Sequence, residues 1–217
     1  MNINKHLIPL VCVLFFLFAV SVSSGCFRKN ESDVKSVVRN ELDQLKNLDS
    51  ETTQKYIPYT ELFPDATENT DLTDEINETF SLFFRKFDYK ISDVIVGTAN
   101  HSATVSVKLT TIDSKVLARD FKAELLRTQI TESAQAQTGS IKDSSRSLEA
   151  HYLILNHLLN TIDYDTAETD CNIQLVNTGN DKKEKWKIQR TNSLEDDLVG
   201  GLIADLANPD ILSPEDT

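Results

Sequence analysis

The chain has 217 residues, 40% hydrophobic and 26% charged, which are the values of a folded globular protein and not of a disordered one. Its formal charge is −12, from 22 basic and 34 acidic residues, so the body repels nucleic-acid phosphates and does not adhere to anionic lipid by charge alone. Only six glycines and five prolines interrupt it, so regular secondary structure is expected over most of its length.

The first residues carry Lys5 and no acid, and an apolar run of 16 residues follows, from Leu7 to Val22. A spanning helix needs roughly 20 apolar residues, so this layout predicts a cleaved secretory signal over residues 1–25. The exit of that segment, "SSGC", resembles the bacterial lipoprotein signal, a small-residue box that ends in Cys. Ser24, Gly25 and Cys26 fill its last three places, and Ser23 stands where that family usually has Leu. The resemblance implies a cut between Gly25 and Cys26. It also implies a diacylglycerol on the Cys26 thiol and, in some bacteria, a further fatty acyl chain such as palmitate on the new amino terminus. Two or more chains give firm anchoring. The alternative is a simple secretory cut after Ser24. Cys12 leaves with the signal in either case, so a non-lipidated product keeps Cys26 and Cys171, which could form one disulfide outside the cell.

Residues 26–32 read as a tether, 33–206 as a single domain and 207–217 as a frayed tail. Val34, Val38, Leu42 and Leu45 recur at helical steps, with Ser32 or Asp33 available as cap. Pro58 and Pro64 then mark a connection with room for a short helix. Ile76, Phe80, Phe83, Phe84 and Phe87 form a second helical stripe behind Thr73. An aromatic stripe at that spacing reads first as core packing, with the wall of an apolar pocket as the alternative.

From Asp88 the period becomes strand-like. Tyr89, Ile91 and Ile95 are expected on one face, with Val94 and Val96 against that parity. Ala103, Val105, Val107 and Leu109 alternate cleanly with Thr104, Ser106, Lys108 and Thr110, so the two runs predict an antiparallel hairpin buried on one face. Asp113 is placed to cap a helix carrying Leu117, Phe121 and Leu125. The polar stretch 131–145 reads as a loop or a frayed helix end, and Leu148, Tyr152, Leu155, Leu159 and Ile162 as a further helix. Cys171, Ile173 and Leu175, then Trp186 and Ile188, close the sheet. Ser193 is expected to cap a last helix that contains Gly200 and Gly201, a pair that implies close packing or a kink. Hairpins and helices are segregated, which predicts an α+β fold with an antiparallel sheet of about four strands packed against several helices.

Thr111-Ile112-Asp113 at the hairpin exit, Trp186-Lys187-Ile188 and Asn192, with the lipid box ahead of them, resemble small lipoproteins of Gram-positive bacteria whose body is NTF2-like. The resemblance covers roughly residues 33 to 203. It implies an NTF2-like cone held through Cys26 at the extracytoplasmic face of the cell membrane. That fold serves enzymes, binders and scaffolds alike, and the resemblance carries over no catalytic residue; the lipid box, the fold pattern and the lack of a catalytic constellation together lead to the expectation of a non-enzymatic role with a protein partner or small apolar ligand.

The residues themselves offer little catalytic chemistry. His151 and His157 are six apart and fall on different helical faces, whereas a helical zinc pair wants a spacing near four. Asp163, Asp165, Glu168 and Asp170 are close in sequence but lack the Gly and the final Glu of a calcium loop, so they read as an acidic loop after a helix. Cys171 has apolar strand neighbours and reads as an inert buried thiol. No metal, cofactor or nucleic acid is therefore expected. A pocket enzyme using an acid such as Asp113 or a histidine in the cone is the remaining alternative on the same fold.

Overall fold

The computed structural model describes residues 30–56, 62–63, 72–97, 101–136, 147–179 and 184–212. The expected signal, Gly25, Cys26 and residues 27–29 lie outside the described residues, as do 213–217 of the expected tail.

Helix α1 is described over residues 30–46, so Ser32 and Asp33 lie inside it and do not cap it. Its Val34, Val38, Leu42 and Leu45 are buried in the core, as their spacing predicts. The helix closes on Leu48, whose φ is 62°, and the Asp49 N–H reaches back to the Gln44 carbonyl at 2.9 Å. Asp49 then caps α2 (Ser50–Tyr56), accepting from the Thr52 N–H at 2.9 Å. The sequence pattern does not reveal α2, because its contribution to the apolar core is a single side chain, Tyr56.

In α3 (Thr73–Phe83) the stripe Ile76, Phe80 and Phe83 is buried, and a 3-10 turn over Phe84–Lys86 carries Phe84 and Phe87 into the same layer. Leu72, not Thr73, stands at the cap position and makes no side-chain capping bond. The rings pack on one another and on Tyr152, with Phe84–Phe87 centroids 5.4 Å apart and Phe80–Tyr152 6.4 Å apart. These are ordinary edge-on contacts of a filled core.

Strands β1 (Asp88–Val96) and β2 (Ser102–Ile112) pair antiparallel. Ala103, Val105, Val107 and Leu109 of β2 are buried, as the alternation predicts. The parity expected for β1 holds only as far as Ile91. The register shifts between Ile91 and Asp93, a bulge that leaves Ser92 as an extra residue. Beyond it Val94 and Val96 pack on the core while Ile95 is 61% exposed. One inserted residue exchanges the two faces of everything that follows.

Asp113 caps α4 (Ser114–Ala136) as expected, its Oδ1 accepting from the Lys115 N–H at 3.2 Å. The helix runs six residues into the predicted polar loop, to Ala136. Helix α5 (Leu148–Thr161) is capped by the Ser147 hydroxyl, which accepts from the Ala150 N–H at 3.1 Å. Leu148, Tyr152, Leu155 and Leu159 are buried, but Ile162 lies past the helix end and is exposed.

Strand β3 (Thr166–Asn177) begins earlier than the sequence suggests and absorbs Glu168 and Asp170, which therefore belong to a strand and not to a loop. The physical reason is its partner, since every residue from Thr166 to Val176 pairs with β2. Strand β4 (Trp186–Ile188) completes a sheet in the order β1-β2-β3-β4, antiparallel throughout.

Thr191, not Ser193, caps α6 (Asn192–Leu198), and Gly200 and Gly201 break the expected last helix into α6 and α7 (Leu202–Ala207). A 3-10 turn at Pro209–Leu212 follows, with Ile211 packed on the core and the Lys122 ammonium bonded to the Asn208 carbonyl. That part of the expected tail is docked.

The fold is α+β: one antiparallel four-stranded sheet, with the helices packed over a single face. The other face is polar, with cross-strand bonds from Thr104 to Gln174 and from Ser106 to Asn172, both 2.9 Å, and from Lys108 to Glu168 at 3.0 Å. Among the described residues no helix is long and apolar enough to cross a membrane.

Candidate functional site

The helical layer crosses the edge of the sheet where α1 passes β1, and a cleft of about 320 Å³ opens between them. Lys35, Arg39, Asp43 and Lys46 line it from α1, and Asp88, Tyr89 and Ile91 from β1. The four α1 residues each follow one residue after a member of the buried stripe Val34, Val38, Leu42 and Leu45. They therefore form a polar stripe about 100° around the helix from the core.

Side-chain hydrogen bonds join the walls, and the Tyr89 hydroxyl also lies 3.4 Å from the Arg39 carbonyl. The Lys46 ammonium meets the Asp88 carboxylate at 2.8 Å, and the Tyr89 hydroxyl donates to Asp43 Oδ1 at 2.6 Å. Asp88 is held below the usual carboxylate range by the Lys46 hydrogen bond first and by the Tyr89 N–H second. Tyr89 is pushed up to about 12, chiefly by burial and then by its bond to Asp43, against a smaller opposing influence of Arg39. At neutral pH the phenol therefore stays protonated and keeps its proton directed at Asp43. Both carboxylates of the cleft are thus engaged by donors. Lys35 and Arg39 form no salt bridge with a described residue, although they lie one turn apart on the same stripe.

The residues singled out in the sequence lie elsewhere and do not converge. His101 is exposed at the start of β2, His157 is exposed on α5, and His151 sits half-buried against Phe63 and Phe121, with ring centroids 4.9 and 5.7 Å away. Asp163 pairs with Lys86 at 2.6 Å, and Glu168 with Lys108 at 3.0 Å on the polar face of the sheet. Asp113 is occupied as a helix cap. Cys171 is 2% exposed, and its thiol is pushed up to about 12 by burial first and then by the nearby Asp197 carboxylate. Such a thiol is a poor nucleophile.

A second polar cluster lies where α1 and α2 meet the start of α6. Glu195 is buried, and its Oε1 accepts from the Arg190 Nε and Nη2 at 2.8 and 2.6 Å. Tyr56 beside it is held well above the ordinary phenol range by burial and by the Glu41 carboxylate, which lies near the phenol without forming a well-aligned hydrogen bond. The bonds of this cluster tie the residues after β4 to the first turn of α6, and it opens onto no described cleft.

Comparison with protein-family models, with curated proteins and with solved structures yields no match to this chain.

Proposed function

We propose that the chain is an extracytoplasmic lipoprotein, anchored through an acylated Cys26, whose body works by binding rather than by catalysis. The observation that carries this reading is the order of segments: an apolar run, the Ser24-Gly25-Cys26 box, then α1 starting by residue 30 with the cleft on its polar stripe. In this reading the body is an NTF2-like cone, and the cleft is where its ligand or partner engages. The lining is charged, so a ligand there is polar, in contrast to the small apolar ligand expected from the sequence.

The burial of Cys171 favours lipidation over a Cys26–Cys171 disulfide. Its side chain faces the inner layer of the sheet beneath α6, so the tether would have to enter the core to reach it. Mass spectrometry of the mature protein from the membrane fraction tests the anchor. The expected product begins at Cys26 and carries the mass of a diacylglycerol, and Cys26→Ala abolishes both the processing and the added mass. A mature product that begins at Gly25 and carries no lipid would sink the proposal.

A further inference from the structure

We infer that the α1–β1 cleft binds a phosphate group, with Lys35 and Arg39 as its anion donors. This rests on the reading of the cleft as the binding site. Lys46 and the Tyr89 hydroxyl already occupy Asp88 and Asp43. An incoming cation would have to displace a donor, whereas an incoming anion meets two cations that form no salt bridge with a described residue. Lys35 and Arg39 are four residues apart on α1, close enough for both charged ends to reach one ligand group. A guanidinium fork grips two oxygens of a phosphate while an ammonium supplies a point charge.

Charge narrows the class further. A carboxylate brings one negative charge to two cations, whereas a phosphomonoester carries about −1.5 to −2 at pH 7. The body as a whole is acidic, so it offers no general attraction for anions, and affinity must come from this pair. The volume of about 320 Å³ is at the lower end for a small-molecule site and suits a phosphate with a short ester group lying against Tyr89 and Ile91. From Cys26 to residue 30, the first described residue of α1, the chain can span at most about 14 Å, and the helix adds about 7.5 Å to Lys35. The cleft therefore lies within reach of the lipid surface, and its phosphate can come from a lipid headgroup or from a soluble phosphate ester.

The full chain, purified from membranes in nonionic detergent, is titrated calorimetrically with inorganic phosphate, glycerol phosphate, succinate and chloride at matched ionic strength. Saturable binding of the two phosphates is expected, weakened at least tenfold in the Lys35→Ala/Arg39→Ala double variant and unchanged in Lys108→Ala on the polar face of the sheet. Phosphate binding no tighter than chloride, or equal binding by the double variant, overturns the inference. If succinate alone binds and the double variant loses it, the cleft stands as a binding site and the phosphate assignment falls. Repeating the titration in micelles doped with phosphatidylglycerol separates the sources. Competition with glycerol phosphate assigns the headgroup, and undiminished binding assigns the soluble ester; either outcome supports the phosphate assignment.

Discussion

Two helices in this chain end in the same hydrogen-bond pattern, with opposite residue choices at the left-handed position. After α1, Leu48 N–H bonds to Leu45 O at 3.0 Å and Asp49 N–H to Gln44 O at 2.9 Å; after α6, Gly200 N–H bonds to Asp197 O at 3.0 Å and Gly201 N–H to Asp196 O at 2.8 Å. This is the Schellman closure, which favours glycine at the residue of positive φ. Leu48 adopts φ 62° and is 42% exposed, so it bears the left-handed cost with only a partial burial gain to offset it. Leu48→Gly is expected to stabilise the fold by about 0.5–1 kcal/mol, read as a higher urea midpoint at unchanged slope. Gly200 is the reverse case. A Cβ there would come within 2.2 Å of the buried Thr111 hydroxyl oxygen, at φ 66°. Gly200→Ala should cost about 2–4 kcal/mol from strain and overpacking together. Adding Thr111→Ala should recover part of that loss, because it removes the closest atom and leaves the backbone strain. If the double variant is no more stable than the sum of the two single losses, the clash is not the cause.

At the scale of elements, the bulge at Ser92 decides which side chains of β1 meet the helices. Val94 packs on the core and Ile95 faces solvent, so Val94→Asp should cost about 1–3 kcal/mol and Ile95→Asp less than about 0.5 kcal/mol. Denaturant unfolding of the two variants checks this, and equal losses would mean that the register shift is absent. The same strand shows what the sequence could and could not reveal. Strand β2 alternates without a break, and its inward face could be read residue by residue. The α1 stripe was equally legible, because one helical period runs from Val34 to Leu45. The pattern of strand β1 misleads past Ile91, because a bulge inserts one residue without any marker in the side-chain pattern. The last helix was misread because Gly200 and Gly201 both permit a kink and a stop, and Thr111, which forces the close approach, lies 89 residues earlier. The cleft was missed for a similar reason. Its α1 stripe was visible at steps of four, four and three, but such a stripe ordinarily means a solvated face. Only the pairing of Asp43 with Tyr89 and of Lys46 with Asp88, over 40 residues apart, makes it a wall.

Across the whole molecule, the groups that burial perturbs most lie on the alkaline side. Cys171 and Tyr89 are each pushed up to about 12, and Tyr56 and Tyr164 are raised further, with burial the first cause in all four. Unfolded, a thiol loses its proton near pH 8.5 and a phenol near pH 10. Above those values the folded state retains protons that the unfolded state releases, so protons bind the folded state more tightly and stability falls as pH rises. The contribution is complete below about pH 8.5 and is lost progressively toward pH 12, with each fully buried group removing about 1.4 kcal/mol per pH unit inside its own window. Tyr89 is only half-buried and should contribute less. Cys171 has the lowest unfolded value, so it alone sets the onset. The carboxylates lowered by local partners, Asp49, Asp88 and Asp163, are exposed and act only in acid, where their small contributions disappear as pH falls. The expected profile is a flat urea midpoint from pH 6 to about 8.5, then a decline that steepens as the tyrosines enter near pH 10. Cys171→Ala should lower stability throughout, because it leaves a small void in the core. It should also move the onset of the decline from about pH 8.5 to about pH 10, where the tyrosines begin. An unchanged onset in that variant would show that the thiol is exposed to solvent in the folded protein, and would reopen Cys171 as a partner for Cys26.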